Sequence, residues 1–155
     1  YYFDYIIAQQ FRGLGDLEKA AYGLEKSLQA KPDFADARQA LLEILLPRGN
    51  YERVLREADL LPSEGQAAFA GHYLKGQALF GLGEFPAALA ELLEANKIIN
   101  TDVNLLNLIG RAFLKLGDSK QAAQAFTASL TLNKDQPEIQ KLLAEAAHPP
   151  VDKKK

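Results

Sequence analysis

A glycine followed by a polar residue recurs along the chain as Gly15-Asp16, Gly49-Asn50, Gly83-Glu84 and Gly117-Asp118, and successive pairs stand 34 residues apart. That unbroken period restricts the fold more than any composition does. A unit of such a size holds one supersecondary element whose apolar side cannot be buried alone, so the units must stack into a continuous core. The spacing divides the chain into units 1–34, 35–68, 69–102 and 103–136. An end helix is expected over 137–147, with 1–147 forming one domain. The proline-led basic stretch 148–155 is expected to be a disordered tail.

Within each unit, apolar residues recur at helical spacing on both sides of the glycine. The first unit shows Ile7, Ala8 and Phe11, then the turn, then Leu17, Ala20, Ala21, Leu24 and Leu28 ahead of Pro32. The fourth repeats this with Ile109, Gly110, Phe113, Ala122, Phe126 and Leu130. Glycine suits the end of the first helix because it reaches positive φ without strain, and the Asp or Asn after it can cap the next helix. Ala8, Gly76 and Gly110 on first helices, with Ala20, Ala88 and Ala122 on second helices, let paired backbones approach closely. The second unit departs from this: Leu42 and Val54 hold the small positions, Pro47 adjoins the turn, and Pro62 falls early. Proline removes a helix hydrogen bond and clashes with the preceding turn. A short second helix near Tyr51–Leu60, a loop Pro62–Gly65 and a splayed pair are expected there.

These positions resemble the tetratricopeptide repeat (TPR) family, whose pattern the fourth unit follows as Leu106, Ile109-Gly110, Phe113, then Ala122 and Phe126. The first follows it at Ile7-Ala8, Phe11, Ala20, Leu24 and Pro32, and the third at Gly76, Leu79, Ala88 and Leu92. The resemblance implies an all-α, right-handed superhelix of antiparallel helix pairs whose first helices line a concave face. It further implies a non-catalytic scaffold that binds a protein or peptide there. The groove residues it points to are Tyr5, Gln9, Gln39, Glu43, Tyr73, Gln77, Asn107 and Arg111, flanked by Tyr2, Arg12, Asp36, Leu46, Ala70, Phe80, Asn104, Leu114, Glu138, Lys141 and Glu145. A peptide laid there is expected to stack on the tyrosines, pair its backbone with Gln39, Gln77 and Asn107, and offer an acidic group to Arg111. Family members that clamp a chaperone's C-terminal carboxylate use Lys, Asn and Arg at positions held here by Tyr5, Gln9, Ala40, Ala70 and Leu74, which speaks against that partner. The likeness extends to repeat segments of larger bacterial envelope and export proteins. An assembly module, or the regulatory repeats of an enzyme whose catalytic part lies elsewhere, stand as alternatives.

The rest of the sequence narrows chemistry by what it lacks. There is no cysteine and there are two histidines, His72 and His148, so thiolate ligands are excluded and histidine-based sites disfavoured. The net charge of −2 supplies no basic field for nucleic acid, and no run is apolar enough for membrane insertion. Gly13–Gly15 and Gly81–Gly83 lack the remaining glycine and the strand of a phosphate-binding loop. No catalytic, cofactor or metal constellation emerges; Glu52, Glu57, Glu91 and Glu94 are expected on a solvated face, and His72 as a packing residue. There is no methionine, even at position 1, so a processed or truncated chain is expected. Tyr1, Tyr2, Phe3, Tyr5, Ile6 and Ile7 crowd the first turns with apolar side chains, and a neighbouring repeat or a second copy of the chain is expected to cover them.

Overall fold

The computed structural model describes residues 1–147; the expectation for the tail 148–155 falls outside them. The described chain is all helix, with no strand. Helices α1 (Tyr2–Gly13) and α2 (Leu17–Ala30) form the first antiparallel pair. Then come α3 (Ala35–Leu45) with α4 (Tyr51–Ala58), α5 (Gly65–Leu82) with α6 (Phe85–Ile98), and α7 (Val103–Lys115) with α8 (Ser119–Leu132). Helix α9 (Pro137–Ala147) packs on α8 and closes the stack. The whole is a right-handed α-α superhelix.

The repeated glycine sets each turn. Gly15, Gly49, Gly83 and Gly117 have φ of 79°, 75°, 82° and 79°. The amide after each reaches back to a first-helix carbonyl: Asp16 to Phe11, Asn50 to Leu45, Glu84 to Leu79 and Asp118 to Phe113. This is the backbone closure that a left-handed residue makes at a helix end. The carboxylates of Asp16 and Asp118 accept from the Lys19 and Gln121 amides at 3.1 and 3.0 Å, capping α2 and α8. Asn50 makes no such bond.

The small positions work by opposition. A Cβ at Gly76 would run into Leu92, and one at Gly110 into the ring of Phe126. Phe126, Leu92 and Leu24 are among the largest fully buried side chains. In the second unit the volumes are exchanged between helices: Leu42 is large and fully buried, while Ala58, at the position of Leu24, Leu92 and Phe126, is small. The second pair is looser, as expected, but the irregularity resolves differently from the sequence expectation. Leu46–Arg48 form a 3-10 turn, α4 stops at Ala58 rather than Leu60, and α5 already starts at Gly65. More of α4 lies close to α5 than to its own partner α3.

The expectation of purely solvated carboxylates needs correction at two positions. Glu57 forms an ion pair with the buried guanidinium of Arg38, which also donates to the Pro32 carbonyl. Glu91 Oε2 lies 2.7 Å from Nδ1 of the half-buried His72, and Glu91 Oε1 lies 3.4 Å from Lys75 Nζ. Burial acts to lower the Lys75 pKa, but the hydrogen bond and charge of Asp59, 3.0 Å away, with the charge of Glu91, outweigh it and leave the ammonium raised. The fourth unit has apolar Leu106 and Ala125 where the second has Arg38 and Glu57.

Candidate functional site

Side chains on the same turns of α1, α3, α5 and α7 face one side of the stack, because stacking brings equivalent helices side by side. Three hollows run along that side. The first, about 230 Å³, is bordered by Tyr5, Gln9 and Arg12 of α1 with Asp36, Gln39 and Glu43 of α3. The second, about 370 Å³, lies between Gln39, Glu43 and Leu46 on one side and Gln66, Phe69, Ala70, Tyr73, Leu74 and Gln77 of α5 on the other. The third, about 500 Å³, is bordered by Tyr73, Gln77, Asn104, Asn107, Leu108 and Arg111, and is closed by Gln136, Pro137, Glu138 and Ile139. Gln39 and Glu43 belong to the first and second hollows, Tyr73 and Gln77 to the second and third. The hollows therefore form one trough, and all eight residues singled out from the sequence line it.

Polar groups in the trough are largely tied to one another. Arg12 Nη1 sits 3.0 Å from Glu43 Oε2, and Gln39 Nε2 donates to Glu43 Oε1 at 2.9 Å. Arg111 Nη2 donates to Glu138 Oε1 at 2.8 Å. Asn107 Nδ2 donates to Gln136 Oε1 at 2.7 Å, while its buried Oδ1 has no hydrogen-bond partner among the described residues. The tyrosines are anchored from behind: Tyr5 meets Phe34 edge-on with ring centres 4.9 Å apart, and Tyr73 lies 5.7 Å from Phe69. Burial, helped by the charge of Asp102, pushes the Tyr73 phenol up to about 12.

Three residues expected on this side border none of the three hollows. Tyr2 stands beside Tyr5 and Phe34, Phe80 packs edge-on against Phe85, and Leu114 joins the core under α9. Lys141 and Glu145 face each other at 4.0 Å along α9. The sequence did not point to Gln66, Phe69 or Gln136. Gln66 belongs to the extra turn of α5, and Gln136 sits between α8 and α9 where no helical period reaches. Among the described residues there is no cluster of three potential metal ligands, and no helix is long and apolar enough to cross a membrane.

Residues 103–136, the whole fourth unit, match the family model of the tetratricopeptide repeat. By that match the fourth unit is a tetratricopeptide repeat, and the chain as a whole shares the fold of solved tetratricopeptide-repeat proteins. A human relative, DnaJ homolog subfamily C member 3, is 29% identical over 84% of this chain, and the chain spans 29% of that relative's length. Among solved structures, a MamA protein superposes with a TM-score of 0.81 at 18% identity, covering 94% of this chain and 79% of MamA. YrrB, described as a TPR protein with an unusual peptide-binding site, gives a TM-score of 0.73 at 17% identity, covering 92% of this chain and 74% of YrrB. At these identities the structural likeness is one of fold. The repeat fold suggests a protein-interaction scaffold as the coarse functional class.

Proposed function

We propose that this chain is a non-catalytic scaffold that binds an extended polypeptide segment along the trough on its first helices. The observation that supports this most is the shared walls: Gln39 with Glu43, and Tyr73 with Gln77, join three hollows into one path across all four units. The YrrB description adds that a tetratricopeptide fold can carry a peptide-binding site. Tyrosine and arginine dominate measured interface hot spots. Tyr73→Ala and Arg111→Ala are each expected to weaken a captured partner about tenfold or more with helicity retained. Glu25, a natural control position on a second helix, is unsuitable because it holds Arg53 at 2.8 Å. The exposed Glu52 of α4 serves instead, and Glu52→Ala is expected to be silent. Normal binding by both trough variants in titration calorimetry refutes the trough as the site.

A second function, self-association through the first pair, is favoured by a different observation. Phe3 is 74% exposed, whereas its equivalents Ala37, Gly71 and Leu105 are buried. Ile7 and Gln10 are likewise open where Leu41, Ile44, Ile109 and Ala112 are covered. In the later units, α2, α4 and α6 lie against the next first helix. A second copy docking on α1 would restore the same burial. Light scattering across concentration tests this: a dimer abolished by Phe3→Lys supports it, and a monomer at every concentration ends it.

A further inference from the structure

The trough's own chemistry limits what can lie in it, and this inference rests on the proposed binding function. Its two arginines are each met by a carboxylate of the following unit, Arg12 by Glu43 and Arg111 by Glu138. A ligand acid would compete with one of those carboxylates for an arginine whose charge is already balanced, and a ligand base with one of those arginines. Asp36, the remaining acid on the walls, is exposed and lies in the first turn of α3, where free helix amides favour a negative charge. The ends of the trough are walled by side-chain amides: Gln9 and Gln39 on one side, Gln77, Asn104, Asn107 and Gln136 on the other. Gln136 is held by Asn107, Ser129 and Asn133, whereas Gln9, Gln77 and Asn104 each keep a donor and an acceptor, the complement of a peptide backbone. Asn107 Oδ1 is a buried acceptor with no partner among the described residues, although its own Nδ2 is engaged by Gln136. The middle hollow shares Gln39, Glu43 and Gln77 with its neighbours but adds Leu46, Phe69, Ala70 and Leu74 beside the ring of Tyr73, the longest run of apolar side chains along the trough.

We infer that the trough binds an extended, uncharged peptide segment with one bulky apolar side chain seated in the middle hollow and backbone amides paired to the glutamines and asparagines on either side. With first helices roughly 9 Å apart, the path from α1 to α9 accommodates about ten residues of extended chain. Glu138 already balances the charge of Arg111, so the acidic group expected there is not part of this ligand, and the remaining N–H groups of Arg111 pair with a backbone carbonyl instead.

The test is selection from a phage-displayed library of random peptides about this long, followed by anisotropy with the acetylated, amidated winners. Three results support the inference together: a central Phe, Leu, Tyr or Trp in the winners, affinity that changes less than about threefold between low and high salt, and a loss of about tenfold or more when the central residue becomes Gly. Winners rich in Asp and Glu or in Lys and Arg, with affinity collapsing in salt, overturn it. The binding function survives that outcome if Gln77→Ala, which leaves the core untouched, still weakens them. Winners indifferent to Gln77→Ala and Tyr73→Ala, or no enrichment at all, overturn the trough itself and this inference with it.

Discussion

The second and fourth units solve one packing problem in opposite ways. In the fourth, the first helix gives way: Gly110 leaves room for Phe126 to reach across from α8. In the second, the first helix intrudes: Leu42 is buried on α3, and Ala58 on α4 is the small residue. The ion pair follows the same division, with Arg38 and Glu57 in the second unit and Leu106 and Ala125 in the fourth. Pair volume is thus shared out between two helices rather than assigned to one, and a repeat can invert the assignment while keeping its turn. What inversion costs is regularity: α4 is the shortest helix and leans toward α5.

The largest expected effect comes from emptying the two anchor positions. Phe126→Ala should lower unfolding free energy by about 3–5 kcal/mol, and Leu42→Ala by about 2–4 kcal/mol. Adding Ala58→Leu to Leu42→Ala, which recreates the arrangement of Ala8 with Leu24, should restore at least half of that loss in urea unfolding. If the double variant is worse than the single, volume exchange does not explain the second unit. Next, Glu57→Ala should cost roughly 2–3 kcal/mol, because it strands the buried Arg38, with some relief from the solvent that reaches Glu57. Arg38→Leu combined with Glu57→Ala, the residues of the fourth unit, should be at least as stable as the parent; a thermal midpoint below that of Glu57→Ala alone contradicts this. A smaller difference separates the caps. Asp118→Ala should cost about 1 kcal/mol through its lost bond to the Gln121 amide, and Asn50→Ala only a few tenths, since Asn50 makes no such bond.

The last effect, visible only at high pH, concerns Tyr73, which stands in the trough between the two units. Its folded pKa of about 12 lies above the ordinary value of 10.0, so folding favours the protonated phenol. Its contribution is complete below pH 10 and is lost as pH rises through 12. Phenolate absorbance should show a late phase in that window, missing in Tyr73→Phe. A titration unchanged by that substitution would mean that the ring is as hydrated as any surface tyrosine.

Much of the fold could be read from local signals. The turns at Gly15, Gly49, Gly83 and Gly117 were legible because a left-handed glycine and its backbone closure involve only neighbours in sequence. The small residues Ala8, Gly76 and Gly110 were legible because they recur at a fixed spacing, but that Gly110 faces the ring of Phe126 was not. The end of α4 and the start of α5 were not. Gly65, with φ 59°, carries the same local mark as the turn glycines, yet it opens a helix because α5 gains burial against α4. Periodicity likewise identified the side on which Tyr5, Gln39, Tyr73 and Asn107 lie. It did not reveal that Arg12 meets Glu43 or that Arg111 meets Glu138, because those pairs cross from one unit to the next and depend on how the units stack.

Helix α5 is the longest in the fold and apolar on almost every side. Leu74 and Ala78 belong to the core shared with α1–α4, while Phe69 belongs to the core shared with α6–α8. Repeat arrays in general can lose terminal units one at a time, since each contacts only its neighbours. Here, opening either half strips α5 of one of its two apolar walls, so the halves are energetically coupled through a single segment. Amide hydrogen exchange should consequently be slowest along the middle of α5 and quicken toward α1 and α9, the pattern of a molecule that frays from both ends but melts through its centre only once.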